Sequence, residues 1–158
     1  VAISIALDRP DAVVAATDLS AEALDIAQHN AQTLGAAVDF FCGSWYDALS
    51  GSGGFDLIVS NPPYIAASDP HLRQGDLRFE PLGALTDSSN GLTALQAIAQ
   101  GAGRWLAPQG ALFMEHGWDQ AAAVREIMEA SGFDQVVSRP DLAGIERVTG
   151  GIYNQGWP

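Results

Sequence analysis

A chain of 158 residues is one domain's worth of polypeptide, and a hydrophobic content of 47% supplies an ordinary globular core. Seven basic residues, all arginine, against nineteen acidic ones give a formal charge of −12. Few groups are left to neutralise phosphates, so direct nucleic-acid binding is not expected and a protein partner or cationic small molecule fits better. No apolar stretch approaches the ~20 residues that span a bilayer, and no secretory leader is visible. The lone Cys42 has no internal disulfide partner and is expected to be a buried small hydrophobe. These features point to a cytoplasmic protein without membrane attachment.

Strand-like and helix-like segments alternate, which predicts an α/β fold with a mostly parallel sheet. Val13 to Ala16 is a short apolar strand ending at Asp18. Ser20 then stands at a helix N-cap, and Leu24, Ala27, Ala31 and Leu34 recur at helical spacing before Gly35. Val38 to Cys42 and Phe55 to Ser60 are the next strands. The turn Gly51-Ser52-Gly53-Gly54 between them lacks the strand-then-helix context of a phosphate loop and is structural. Ile65 to Asn90 shows no clear periodicity; Pro70, Phe79, Pro81 and Leu82 predict ordered packing there, beside the site. Leu95, Ile98, Ala102 and Leu106 mark a further helix closed by Pro108-Gln109-Gly110. Ala111 to Glu115 is a strand, and Ala121 to Ala130 a helix stopping at Gly132. Gln135 to Arg139 and Arg147 to Tyr153 are two last strands joined without a helix, hence antiparallel.

The most informative run is Phe55 to Tyr64. An apolar strand ends in Asn61-Pro62-Pro63-Tyr64, at the carboxyl end where open α/β sheets place their ligands. The prolines fix φ and remove two donors, and Asn61 before a proline is pushed towards extended geometry. The Asn61 side-chain oxygen and the Pro62 carbonyl make a preset acceptor pair suited to a planar N–H₂ group. The three histidines, His29, His71 and His116, have no metal-cage spacing, and no metal is expected. His116 beside Glu115 is read as a satisfied structural histidine rather than a site residue.

Asn61-Pro62-Pro63-Tyr64 resembles the signature of S-adenosylmethionine-dependent methyltransferases that act on planar amino or amide nitrogens. Further motifs occur in family order: the acidic strand end at Asp18, Asp69-Pro70-His71-Leu72 through Arg78-Phe79-Glu80-Pro81, Glu115-His116-Gly117-Trp118, and Glu146-Arg147-Val148. With them the chain resembles, over almost its whole length, the bacterial peptide chain release factor N5-glutamine methyltransferases. The resemblance implies a Rossmann-like class I methyltransferase sheet, mostly parallel with an antiparallel last strand. It implies S-adenosyl-L-methionine as cofactor and methyl transfer to the glutamine amide nitrogen in the Gly-Gly-Gln segment of peptide chain release factors.

It also implies that residues 1–158 are a partial catalytic domain. The family has a helical N-terminal domain, a first strand and a glycine-rich loop ahead of the helix that Val1 to Leu7 resembles. The chain is therefore expected to lack that strand and loop. The strand would lie between those ending at Asp18 and Ser60, and its absence would leave a slot of ~9–10 Å with unpaired edges.

Asp18 at a strand end can accept from both ribose hydroxyls, as in dinucleotide-binding folds, or simply complement the helix dipole. Trp45 resembles the aromatic that stacks on adenine; ordinary core packing is the alternative. Ser44 stands where related enzymes commonly have an acidic residue for the adenine amino group. Asn61 and Pro62 are the candidate catalytic pair, with Asn61 also beside the cofactor, and Pro63 and Tyr64 complete the substrate-binding set. Two other functions stay open: N6-adenine methylation of DNA or RNA, which uses the same acceptor pair on a flipped base, and a catalytically inert fragment or binding module.

Overall fold

The computed structural model describes residues 1–51, 53–73 and 75–154, except for the side chains at positions 71, 73, 76 and 77. Ser52 of the glycine-rich turn and the side chain of His71 thus lie outside the described residues. The chain forms two compact units, Val1–Ser52 and Gly53–Pro158.

In the first unit, helix α1 (Ala2–Asp8) precedes a strand–helix–strand arrangement. Strands β1 (Ala15–Asp18) and β2 (Asp39–Cys42) pair in parallel, with Ala15 opposite Asp39 and Asp18 opposite Cys42. A parallel pair needs a crossover, and α2 (Ala21–Leu34) supplies it. Its start and stop are local chemistry. Ser20 Oγ accepts the Ala23 N–H at 3.2 Å, and Gly35 closes the helix in the left-handed region at φ 70°. Leu24 and Ala31 are buried on its inner face. Cys42, expected to be buried, is exposed. The reason is its place as the last residue of an edge strand in a two-stranded sheet.

The second unit carries four strands: β3 (Phe55–Ser60), β4 (Leu106–Glu115), β5 (Phe133–Pro140) and β6 (Glu146–Tyr153). Their order is β3-β4-β6-β5, with β3 and β4 parallel and β6 antiparallel to both of its neighbours. The expected mostly parallel α/β arrangement with a reversed last strand is therefore present. Helices α4 (Thr93–Ala102) and α5 (Ala121–Ala130) pack on each other and on this sheet. Leu95, Ala102, Leu112, Met114, Val124 and Met128 all have 0% exposure. Truncating any of the large ones to Ala costs roughly 2–5 kcal/mol, set by how far the cavity collapses.

Two expectations in this unit are corrected. Leu106 continues the helical spacing of Leu95, Ile98 and Ala102, yet α4 ends at Ala102 and Leu106 opens β4. Pro108-Gln109-Gly110 is not a helix stop but an irregularity inside β4. Pairing advances from Phe55 to Leu57 on β3 while it advances from Leu106 to Ala111 on β4. The extra residues bulge out, with Gln109 at φ 66°, and a bulge accommodates a proline that has no N–H for the ladder. The segment from Ile65 to Asn90 holds 3₁₀ turns at Pro70–Arg73 and Gly75–Phe79 and the short helix α3 (Leu82–Leu85). Its packing is by Leu72 and Leu85, which are buried, whereas Phe79 and Leu82 are 75% and 63% exposed. Among the described residues no helix is long and apolar enough to cross a membrane.

Candidate active site

The first unit carries Asp18 and Trp45. Asp18 is the last residue of β1 and exposed, and its Oδ1 accepts the Ser20 N–H at 2.8 Å. That bond fixes the carboxylate at the strand end, and Oδ2 has no hydrogen-bond partner among the described residues. Asp18 lines an open cleft of about 200 Å³ with Thr17, Leu24, Ala27 and Phe40. A positioned carboxylate with a spare oxygen fits a pair of ribose hydroxyls. Trp45 follows β2, half-buried, and opens a 3₁₀ turn at φ 45°. A bulky residue at positive φ is a backbone outlier, and such outliers are enriched at ligand clamps and active sites. Ser44 before it is exposed, and its side chain makes no capping bond to that turn.

The second unit carries the Asn-Pro-Pro-Tyr run, directly after Ser60 closes β3 opposite Met114. Asn61 is exposed and Pro62 buried. Neither the Asn61 side chain nor the Pro62 carbonyl has a hydrogen-bond partner among the described residues. Tyr64, in contrast, is tied down at several atoms. Its hydroxyl donates to Glu115 Oε1 at 3.0 Å and accepts from the Arg147 guanidinium at 3.2 Å. The same guanidinium lies 5.6 Å from the ring centroid. The Tyr64 carbonyl accepts from Gln120 Nε2 at 2.9 Å. Burial, then the hydrogen bond and charge of Glu115, push the phenol above its ordinary value, against a smaller opposing effect of Arg147. The hydroxyl therefore stays protonated as a donor through the neutral range.

Glu115 and Arg147 converge because β6 runs backwards: the end of β4 and the start of β6 share one edge of the sheet, with Glu115 opposite Val148. Both residues stood in sequence motifs without an assigned role. Gln120 was not singled out at all. Its only sequence signal is a polar residue immediately before the apolar face of α5.

His116, one residue past β4, has 0% exposure, and its two ring nitrogens meet the Gly117 carbonyl at 2.9 Å and Thr149 Oγ1 at 2.8 Å. Ser138 Oγ lies 2.8 Å from Thr149 Oγ1 and accepts from Arg125 at 2.6 Å, while Arg125 also reaches Glu146 at 3.1 Å. One direction of donation satisfies every atom. Arg125 gives to Ser138, Ser138 to Thr149, Thr149 to His116 Nε2, and His116 Nδ1 to a carbonyl that only accepts. His116 is the structural histidine that the sequence suggested. Among the described residues no group of His, Cys, Asp and Glu is placed to hold a metal ion.

Across the loop, Asp87 organises the approach to α4. Its Oδ1 accepts from the N–H groups of Ser89 at 2.8 Å and Gly91 at 3.0 Å, and Oδ2 from Thr93 at 2.8 Å. Burial pushes its carboxyl up, but these backbone N–H groups outweigh it and hold it below the ordinary carboxylate value.

Among solved structures, a methyltransferase from Pyrococcus furiosus superposes with a TM-score of 0.69 at 16% identity, over 96% of this chain and 69% of that one. The S-adenosylmethionine-dependent methyltransferase SibL, in its apo form, gives 0.62 at 15% identity, over 98% of this chain and 47% of that one. The fold is a methyltransferase fold. The Methyltransferase small domain family matches residues 1–75. The chain is similar to the release factor glutamine methyltransferase of Bordetella pertussis, 60% identical over 151 residues that cover 96% of this chain and 56% of that protein. Proteins of the same name in Burkholderia pseudomallei and Neisseria gonorrhoeae are each 54% identical, over 157 and 154 residues. The chain spans a little over half the length of these relatives, 55–56%.

Proposed function

We propose that this chain carries the cofactor- and acceptor-binding residues of an S-adenosylmethionine-dependent enzyme that methylates the glutamine amide nitrogen in the Gly-Gly-Gln segment of peptide chain release factors. The observation that carries the reading is that Asn61 Oδ1 and Pro62 O, two acceptors without hydrogen-bond partners among the described residues, stand on a loop whose far end is fixed through Tyr64. The similarity to release factor glutamine methyltransferases supports the substrate.

An amide nitrogen is a poor nucleophile because its lone pair is delocalised into the carbonyl. Two acceptors that take both N–H bonds fix the plane of the amide and leave the axis perpendicular to it free for attack. S-Adenosylmethionine, when bound, supplies a methyl group on a sulfonium sulfur. Held by Asp18 and Trp45, it would give up that methyl to the amide nitrogen, with the electron pair of the C–S bond remaining on sulfur and one amide proton leaving for solvent. The Asn61 oxygen and the Pro62 carbonyl stabilise the positive charge that grows on the N–H groups during transfer. Positioning of this kind accounts for several kcal/mol, up to roughly 7–11. In the same reading Asp18 holds the ribose hydroxyls, Trp45 stacks on adenine, and Pro63 and Tyr64 line the substrate side of the loop.

The product of the complete reading frame, incubated with methyl-labelled cofactor and either a release factor or adenine-containing nucleic acid, tests this. Label on the Gly-Gly-Gln glutamine is the expected result. Label on nucleic acid alone would make the enzyme an adenine methyltransferase, and no label together with no calorimetric binding of the cofactor would make the chain a non-catalytic module.

A further inference from the structure

Gln120 ties together three stretches of main chain. Its Oε1 accepts the Gly117 N–H at 2.7 Å, and its Nε2 donates to the carbonyls of Tyr64 at 2.9 Å and Gly91 at 3.3 Å. Its own N–H donates to the Gly117 carbonyl at 3.1 Å. The neighbouring backbone is built to admit this side chain. Gly91 is buried at φ 81°, and a Cβ there would lie 2.4 Å from the Tyr64 carbonyl oxygen and 2.8 Å from Gln120 Nε2. Glycine is the residue that tolerates both that φ and that approach.

The carbonyl that Gln120 holds belongs to the same tetrapeptide as the acceptor pair. Between Asn61 and Tyr64 stand two prolines whose rings lock φ, so few torsions remain free in the run. Fixing the Tyr64 carbonyl at one end therefore limits the directions open to the Pro62 carbonyl and the Asn61 side chain at the other. The base of the clamp is itself anchored, since the Gly117 carbonyl also receives the buried His116 ring.

We propose that Gln120 is a positioning residue for methyl transfer: it sets the direction of the Asn61–Pro62 acceptor pair through the Tyr64 carbonyl and touches neither substrate nor cofactor. The inference rests on the acceptor role given to Asn61 and Pro62 above. The amide is the one side chain of this length that meets the need. Glutamate matches its shape and keeps the acceptor for Gly117 but has no donor for two carbonyls, methionine has neither, and asparagine is one methylene short.

The test compares Gln120→Glu and Gln120→Met with the wild-type product of the complete reading frame, at neutral pH or above. Both variants should lower kcat by about 10–100-fold, the scale of a misplaced reacting group, while KM for a release-factor peptide and Kd for the cofactor change little. Deuterium exchange across residues 61–67 should quicken in both. In an Asn61→Ala background, Gln120→Glu should cause no further loss, because the two residues act in series. A wild-type kcat in Gln120→Glu, or a loss confined to KM, overturns the role. If the wild-type protein transfers no methyl to the peptide, the function proposed above fails. The exchange measurement still decides the clamp, and unchanged exchange over residues 61–67 in Gln120→Glu rejects it.

Discussion

The Tyr64 hydroxyl donates to Glu115 Oε1 at 3.0 Å, across 51 positions of sequence, and thereby pins the loop after β3 to the end of β4. Arg147, at the start of β6, donates to the same oxygen. One phenol thus links three strands at the edge where the candidate acceptors emerge. Hydrogen bonds to charged partners contribute roughly 1.5–3 kcal/mol each, with the lower end appropriate at a half-buried site. Tyr64→Phe is therefore expected to lose about 1.5 kcal/mol in urea unfolding, and Glu115→Gln, which keeps an acceptor, less. The raised phenol value adds a pH signature. Its stabilisation is present below the unfolded value of about 10 and fades as pH rises through the folded value. That alkaline limb should be missing from the stability profile of Tyr64→Phe.

Asn61→Ala should lower kcat and kcat/KM together, by about 10²–10³-fold, the range seen when one preorganised polar group is removed from a reacting centre. Cofactor affinity, read by calorimetry, should move far less. Turnover near wild type would remove Asn61 from the acceptor role.

Asp18→Ala should act on the other reactant. In the proposed site two hydrogen bonds from ribose hydroxyls to the carboxylate would be lost, each worth roughly 1.5–3 kcal/mol. Kd for S-adenosylmethionine and for its demethylated product should both rise at least tenfold. Unchanged affinity for both would leave Asp18 as a turn residue that does no more than accept from Ser20.

Asp87→Asn, which keeps one acceptor oxygen and loses the other, should be less stable than wild type by about 1 kcal/mol at neutral pH, the usual net scale of one hydrogen bond. The folded value is depressed, so the contribution is complete above the unfolded value of about 3.9. It disappears as pH falls through the folded value. The gap between the two proteins, followed by thermal unfolding, should be constant near neutrality and close below about pH 4. A gap that widens in acid would contradict the three N–H bonds assigned to this side chain.

Features that depend on near neighbours were legible in the sequence. Ser20 and Gly35 bracket α2 through bonds to adjacent residues, and the β3-to-Asn61 transition needs only the sequence's own proline chemistry. β4 was misread at its start because Leu106 happens to extend a helical period. In addition, Pro108-Gln109-Gly110 imitates a helix stop. Its real function is defined by β3, through the jump in pairing between Phe55 and Leu57. The exposure of Cys42 was hidden for a similar reason, since burial of a strand residue depends on how many strands lie beyond it. Within the candidate site, the Asn61-Pro62-Pro63-Tyr64 run was visible in the sequence as a motif, and the contacts that hold its Tyr64 end were not. Gln120 meets partners 56 and 29 positions away, and no local pattern announces a side chain whose task is to hold distant carbonyls.

The reversal of β6 has a consequence for where this chain tolerates change. In a parallel strand, a residue at this edge of the sheet would come at the strand's end, after a full length of paired backbone had fixed its position. Arg147 comes at the beginning instead, two residues after a tight exposed turn in which Asp141 Oδ1 accepts from Ala143 and Ile145. Surface hairpin tips are ordinarily the safest places for insertions, affinity tags or fused domains. Here a single added residue that slipped the pairing of Arg139 with Val148 would turn Arg147 to the opposite face of the sheet. A tip that looks like neutral ground on the surface is in effect part of the ruler that places Arg147 against Tyr64.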